Sequence, residues 1–485
     1  MPDYQKNILE ALHEGQNHKG QNPTESLEEV VTGDIVTGQT CATAFRFKDK
    51  DDKEGKFYGA GTTELGKENK PTEETMFFVG SVAKTFTAVA AFHMVAQGVF
   101  GPVGPEGGLN TNLHENADRW AEYLKKAHPD LTQTNIDDFK KLIKEGTFPD
   151  ATLLDLIGHR SGIGNNHQGA KEGNKPTAGM IDIGLRKYNF KEGAKRIPGC
   201  EYSNAGYALL GMIMEAQMEK PLAEIIQKEV IDHYKLKKTM VIQTYMGSSD
   251  QKKKEYSIAK LYGLAETGLD SSDDRDVAGG AANILSSPRD LAIFFREIAT
   301  NPELEGMRKA QEPPGYTGFN EAGHGVMINY SLGKEGSEEK EWVRHPGAAG
   351  QGGIAADVVA NTKTGEVIVF TATPFVNIQE QTVAGKFGIH EDNWPKALPI
   401  IREGMQSALK EREIPLNPKD VTPEHFKGFN AKAVWEKLKE KVEQALTQPS
   451  SPTPDIDPQS DKIDVVSGQI RTKANEPGTD KTQRQ

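Results

Sequence analysis

Ser81 and Lys84 stand three residues apart in the stretch Phe77-Phe78-Val79-Gly80-Ser81-Val82-Ala83-Lys84-Thr85-Phe86-Thr87. If Ser81 opens a helix, Lys84 falls one turn on and on the same face, within reach of the hydroxyl. A serine hydroxyl is a poor nucleophile until something removes its proton. A lysine whose charged form is disfavoured by burial and by positive neighbours can do so, directly or through a partner. The chemistry this pair points to is acyl transfer.

Spacing alone does not select Ser81, because Ser-x-x-Lys recurs at Ser249/Lys252, Ser257/Lys260, Ser331/Lys334, Ser337/Lys340 and Ser407/Lys410. Context does. Ser81 follows an apolar strand-like run closed by a glycine (76–80) and precedes a long apolar segment (82–96) with no proline and one charge. A nucleophile at such a strand-to-helix junction has backbone N–H groups and the positive helix end close by. The other pairs lie among lysines and glutamates and read as solvated surface. The bland alternative for Ser81 is a helix N-cap beside a surface lysine.

Two further constellations can complete a site. Tyr202-Ser203-Asn204 contains the chain's one Tyr-x-Asn, with Pro198 and Gly199 making a turn before it and an apolar helix expected after it. A phenolic oxygen flanked by Lys84 could serve as the base, and the Asn204 carboxamide could hold both the lysine and a substrate carbonyl. The alternative is a tyrosine packed at a turn with an N-capping asparagine. His345-Pro346-Gly347-Ala348 heads a glycine-rich run (Gly347, Gly350, Gly352, Gly353) that flows into strand-like segments at 354–359 and 367–371. Glycines let a substrate lie close along a strand, and a backbone N–H there can face that of Ser81 as an oxyanion hole. His-x-Gly is a common pattern, also found at His13, His18 and His167, so position in the chain selects His345; the alternative is a glycine-rich loop with an exposed histidine.

In this order and at these separations, the three motifs resemble the serine penicillin-recognising superfamily: class C β-lactamases, related esterases, D-amino-acid peptidases and low-molecular-mass penicillin-binding proteins. Two intervening stretches are similar as well, Leu153-Leu154-Asp155-Leu156-Ile157-Gly158-His159-Arg160-Ser161-Gly162-Ile163 and Ile284-Leu285-Ser286-Ser287-Pro288-Arg289-Asp290-Leu291-Ala292. The resemblance spans roughly residues 38–408. It implies Ser81 as the acylated nucleophile, Lys84 and Tyr202 as the proton-handling pair, and Asn204 as a polar positioner. His345 and Gly347 would line the substrate site, and the N–H groups of Ser81 and Ala348 would form the oxyanion hole. No cofactor or metal is implied.

His345 departs from the lysine that β-lactamases and D-Ala-D-Ala peptidases usually carry in Lys-Thr-Gly. A histidine is more often neutral at pH 7 and holds a substrate carboxylate less well. The esterase and aminopeptidase-like branches more often show histidine here, which tilts the expectation away from a true β-lactamase. The literal Lys363-Thr364-Gly365 reads as a decoy, since Asn361-Thr362-Lys363-Thr364-Gly365 is a polar, glycine-ended connection between two strand-like runs. The connection from Pro198-Gly199 to Tyr202 is also shorter than in relatives.

The rest of the chain bounds this reading. Its 485 residues suffice for a large core, and a formal charge of −12 argues against a nucleic-acid surface. The basic run Lys252-Lys253-Lys254 is too short to reverse that. Cys41 and Cys200 cannot build a disulfide framework and lack metal-ligand spacing with the histidines. The first residues lack the basic and apolar regions of a signal peptide, and no apolar run is long enough to span a bilayer, so a cytoplasmic protein is expected unless it is exported by a route that reads another signal.

Strands at both ends and a helical middle predict a two-lobed α/β (α+β) fold of the β-lactamase/transpeptidase-like kind. Its parts would be an antiparallel sheet flanked by helices and an inserted helical lobe at about 105–285, with the site between them. The boundaries expected are a polar N-terminal extension (1–37), the hydrolase domain (38–410), a helical extension (411–448) and a disordered tail (449–485). Within the extension, apolar residues at Val434, Trp435, Leu438, Val442 and Leu446 form a helical stripe (426–446) that packs on the body or docks a partner. Two function classes follow: a serine acyl hydrolase acting on a small-molecule or peptide ester or amide, or a catalytically inactive relative kept as a binding or assembly module.

Overall fold

Residues from both ends of the domain build one sheet. The computed structural model describes residues 39–374 except 65–66, 105, 130, 164–201, 254, 260–261, 266–267, 272–278, 310–322, 331–340 and 350–352, and beyond them 400, 407 and 431–447. Expectations for residues 1–37, for Pro198, Gly199 and Cys200, for 411–430 and for the tail 449–485 lie outside the described residues.

β1 (Gln39–Phe47) and β2 (Lys56–Gly61) join β8 (Met327–Tyr330), β9 (Trp342–Ala349), β10 (Gly353–Asn361) and β11 (Val367–Pro374) in a sheet of order β2-β1-β11-β10-β9-β8. Every pairing is antiparallel. Residues 41–45 of β1 are buried on both faces, whereas β2 at the edge carries only exposed and half-buried positions.

Helix α1 (Ala83–Ala96) follows the short β3 (Phe77–Phe78) and is apolar nearly all round, so it runs through the core. Phe86 stacks on Phe294 at 4.1 Å, which locks α1 to a helix lying on the sheet. That helix is capped by Ser287 and carries Pro288 in its first turn. Its Arg296 guanidinium sits 4.1 Å over the Phe47 ring of β1.

The inserted lobe begins with α2 (Leu113–Ala127) and α3 (Gln133–Gly146), an antiparallel pair whose starts are capped by Asn112 and Thr132. A third cap, Thr152, opens the one-turn α4 (Leu153–Ile157). α5 (Asn204–Met218) is buried along almost its whole length and ends at the left-handed Glu219, and α6 (Leu222–Ile226) starts after Pro221. Trp120 Nε1 donates to Gln217 Oε1 at 2.9 Å, fastening α2 to α5.

The middle of the chain is less helical than its composition predicts. Residues 239–286 carry β4 (Thr239–Val241), β5 (Tyr262–Ala265), β6 (Gly268–Ser271) and β7 (Ile284–Ser286). β7 pairs with β3 on one side and β4 on the other, so this small second sheet holds the strand that delivers the chain into α1. The helix on the large sheet is α7 (Pro288–Thr300). At the far end α8 (Ala431–Thr447) buries Leu438 and Val442 four residues apart, as the predicted stripe requires.

Candidate active site

Ser81 lies where β3 gives way to α1. The Val79 N–H donates to the Ile284 carbonyl at 3.2 Å, and the chain then reverses through Gly80, whose φ of +54° suits a residue without a Cβ. A 3₁₀ turn (Gly80–Val82) carries Ser81 into α1. Ser81 is half-buried, and Lys84, one turn on, is fully buried. Its Nζ donates to Ser81 Oγ at 3.1 Å and to the Ala281 carbonyl at 2.9 Å. Among the described residues no carboxylate pairs with it. Loss of hydration therefore holds its pKa well below the usual lysine value. Burial alone carries this effect, where positive neighbours had been expected to share it.

Tyr202 approaches the same amine from the other lobe. Lys84 Nζ is 4.8 Å from the centre of the Tyr202 ring and 5.9 Å from that of Tyr207. The N-cap of α5 is Ser203, whose Oγ accepts the Gly206 N–H at 2.9 Å, so Asn204 is the first helical residue and not the cap. Tyr202 and Asn204 are both half-buried at the start of α5.

The third motif is a strand. His345, Pro346, Gly347 and Ala348 lie within β9, and His345 is buried, not exposed on a loop. Among the described residues β8 pairs with β9 at Trp342 and Arg344, and the 347 end of that edge lies against the nucleophile turn. A Cβ on Gly347 would stand 1.9 Å from the Val79 carbonyl oxygen and 3.1 Å from Val82 Cγ2. Glycine is what allows the strand to lie this close to Ser81.

His345 Nδ1–H donates to the Pro346 carbonyl at 2.8 Å, which fixes the tautomer and leaves Nε2 as an acceptor. Burial, then the nearby Lys84, push its pKa down to about 3, so the ring is neutral at physiological pH. Its neighbour Arg344 is a buried cation already committed to Asp357, with Nε 2.9 Å from Oδ1.

His159 was not singled out by the sequence as a site residue, yet it belongs to this cluster. Its ring centre lies 4.7 Å from that of Tyr202 and 5.0 Å from that of Tyr207. Its Nδ1 accepts the Ser203 N–H at 3.1 Å. Burial, then the proximity of Lys84 and of His345, hold its pKa well below the ordinary imidazole value. The decoy Lys363-Thr364-Gly365 forms the β10–β11 turn as expected, with Asn361 Oδ1 accepting the Lys363 and Thr364 N–H groups. Cys41 is buried in β1, which pushes its thiol pKa up.

Two neutral, buried imidazoles make the fold sensitive to acid. His345 has a folded pKa of about 3 against 6.5 for the free side chain, so between those values the unfolded chain binds a proton that the folded one refuses. The stability present above pH 6.5 is then lost as pH falls toward 3. The cost is about 1.4 kcal/mol per pH unit per such group. His159 adds to the loss in the same direction. Thermal melts are expected to show Tm falling from pH 6.5 to 4, with a shallower slope in His345→Asn; identical slopes would contradict the assigned charge state.

The arrangement offers a partly exposed hydroxyl hydrogen-bonded to a dehydrated amine, a phenol beside that amine, and a strand pressed against the hydroxyl's own turn. Among the described residues no cluster of three or more His, Cys, Asp or Glu side chains is placed to hold a metal ion. No helix of the described residues is long and apolar enough to cross a membrane.

A family model described as Beta-lactamase matches residues 29–387. No curated protein matches significantly. Among solved structures, the D-amino acid amidase from Ochrobactrum anthropi SV3 complexed with D-phenylalanine aligns at a TM-score of 0.51 and 17% identity, over 72% of this chain and 91% of that one. A D-stereospecific amidohydrolase from Streptomyces sp. aligns at 0.50 and 17%, over 75% and 97%. The octameric penicillin-binding protein homologue from Pyrococcus abyssi aligns at 0.50 and 19%, over 77% and 78%. At such identities the likeness to these structures is one of fold.

Proposed function

We propose, from the premise that this chain belongs to the β-lactamase family, that it is a serine acyl hydrolase that opens an ester or amide through an acyl-Ser81 intermediate. The observation that carries this reading is the 3.1 Å contact between Ser81 Oγ and a Lys84 Nζ that is fully buried and, among the described residues, has no carboxylate partner. A lysine kept only for packing has no need to point a dehydrated amine at a hydroxyl. With the amine neutral, the same contact runs the other way, the Oγ–H proton entering the nitrogen lone pair as Oγ attacks the carbonyl carbon.

Tyr202, beside Lys84, is the second proton carrier. It delivers the proton to the leaving alcohol or amine, after which the same pair activates water against the acyl ester. Asn204 orients the substrate carbonyl. The N–H groups of Ser81 and Ala348 hold the oxyanion, a role supported by the way Gly347 lets β9 lie against the nucleophile turn.

The charge state of His345 bears on the substrate. Neutral and buried, it supplies no cation for a substrate carboxylate. This favours esters and amides without a free carboxylate at the cleaved end over β-lactams and peptide C-termini. D-amino-acid amides join the first panel of substrates because D-amino acid amidases share the fold.

Intact mass spectrometry after exposure to a broad serine-hydrolase phosphonate tests the core of this reading. One adduct is expected on the native protein and none on Ser81→Ala. A well-folded native protein that takes up no phosphonate would point instead to a binding module that has kept the fold.

A further inference from the structure

His159 occupies a backbone position that costs energy to hold. Its φ of +59° lies in the left-handed region, one of three such non-glycine residues among those described. Its N–H donates to the Leu156 carbonyl at 3.2 Å, and Tyr207, packed on its ring, donates its hydroxyl to the Ile157 carbonyl at 2.8 Å. The imidazole is thus braced from the α4 side and from the α5 side.

What it braces in turn is Tyr202. The N–H that His159 Nδ1 accepts belongs to the amide linking Tyr202 to Ser203, and the Ser203 side chain is itself fixed as the α5 cap. The same imidazole also packs on the Tyr202 ring, tilted at an interplanar angle of 34°. One side chain therefore fixes both the backbone that Tyr202 hangs from and the ring that must stand beside Lys84. An acceptor at Nδ1 requires the proton to sit on Nε2, the reverse of the tautomer of His345.

We propose that His159 is a positioning residue: it sets Tyr202 against Lys84 through the Tyr202–Ser203 amide and the phenol packed on its ring, without touching substrate. The assignment rests on the acyl-hydrolase reading, and its role is separable by experiment. Asparagine places its Oδ1 where Nδ1 stands and tolerates a positive φ; glutamine carries its carbonyl too far out, and leucine has no acceptor.

The test is the rate of phosphonate labelling of Ser81 in five variants, three single substitutions at His159, Tyr202→Phe and the Tyr202→Phe/His159→Leu pair, each shown by cooperative melting to be folded. His159→Leu and His159→Gln should each slow labelling at least about tenfold, while His159→Asn stays within about threefold of native, the scale of lost general-base positioning. In a Tyr202→Phe background, His159→Leu should cost less than about twofold more, because residues acting through one group are not additive. Labelling of His159→Leu at the native rate, or a full additional loss in the Tyr202→Phe background, overturns the proposal while leaving the hydrolase reading intact. If leucine prevents folding, the contrast between asparagine and glutamine decides alone, and equal rates for those two overturn it. A native protein that is not labelled at all defeats the hydrolase reading, and the positioning role falls with it.

Discussion

Lys84→Ala is expected to slow acylation of Ser81 by at least about a hundredfold, or about 2.7 kcal/mol of barrier, the scale on which a positioned proton acceptor contributes. Nothing else among the described side chains donates to or accepts from Ser81 Oγ in its place. Tyr202→Phe should match it, since removal of the phenol oxygen breaks the same relay while keeping the ring that packs on His159.

Stability should behave differently from activity. Lys84 is buried where its charge is disfavoured, so alanine relieves dehydration even as it removes packing, and Tm should change far less than rate. Stopped-flow labelling from pH 5 to 10 supplies the check. In the native protein the rate should climb as Lys84 loses its proton, on a limb displaced well below the ordinary lysine range, and the alanine variant should show no such limb. Near-native labelling in both mutants would end the proposed mechanism.

Gly347→Ala should be comparably damaging although it removes no functional group. The added methyl would fall 1.9 Å from a main-chain oxygen, and neither β9 nor the Val79–Ser81 turn is a flexible side-chain end that can swing aside. One of the two must retreat, and Ser81 moves relative to Ala348 when it does. A displacement near 1 Å costs roughly a hundredfold in a positioned reaction, so labelling is expected to fall by about that factor. The fold should survive, because β9 keeps its pairing with β10 along Trp342–Val343 and beyond. Measured labelling within a few-fold of native would mean that the strand's approach to the nucleophile plays no part in the chemistry.

Local pattern carried some of this architecture and could not carry the rest. The helix behind Ser81 was legible because an apolar run of that length without proline has few other ways to fold, and the Ser81–Lys84 spacing then fixes their common face. The β10–β11 turn was legible from its polar, glycine-ended composition. The charge state of Lys84 was not, because its burial comes from Ala281, Tyr202 and Tyr207, which are distant in the chain. His159 escaped notice as a site residue for the same reason: nothing near it in sequence announces that Ser203 will seek its Nδ1. β4 to β7 were missed because strands of three or four residues leave almost no period to detect. For His345 the sequence left a glycine-rich loop open as the alternative, because glycine and proline usually mark turns, whereas here they let a strand pass tightly beside another segment.

The union of the two ends of the domain in one sheet has a consequence for synthesis. Thr43 and Thr371 share a hydrogen bond of 2.7 Å across 328 residues. At about 5–20 residues per second, β1 leaves the ribosome tens of seconds before β11 exists to pair with it. Until then Phe45 and Phe47 face water on a two-stranded hairpin that is marginal by itself. The nascent chain is therefore a natural client for chaperones. A chain cut short before Val367 would leave an open strand edge prone to self-association.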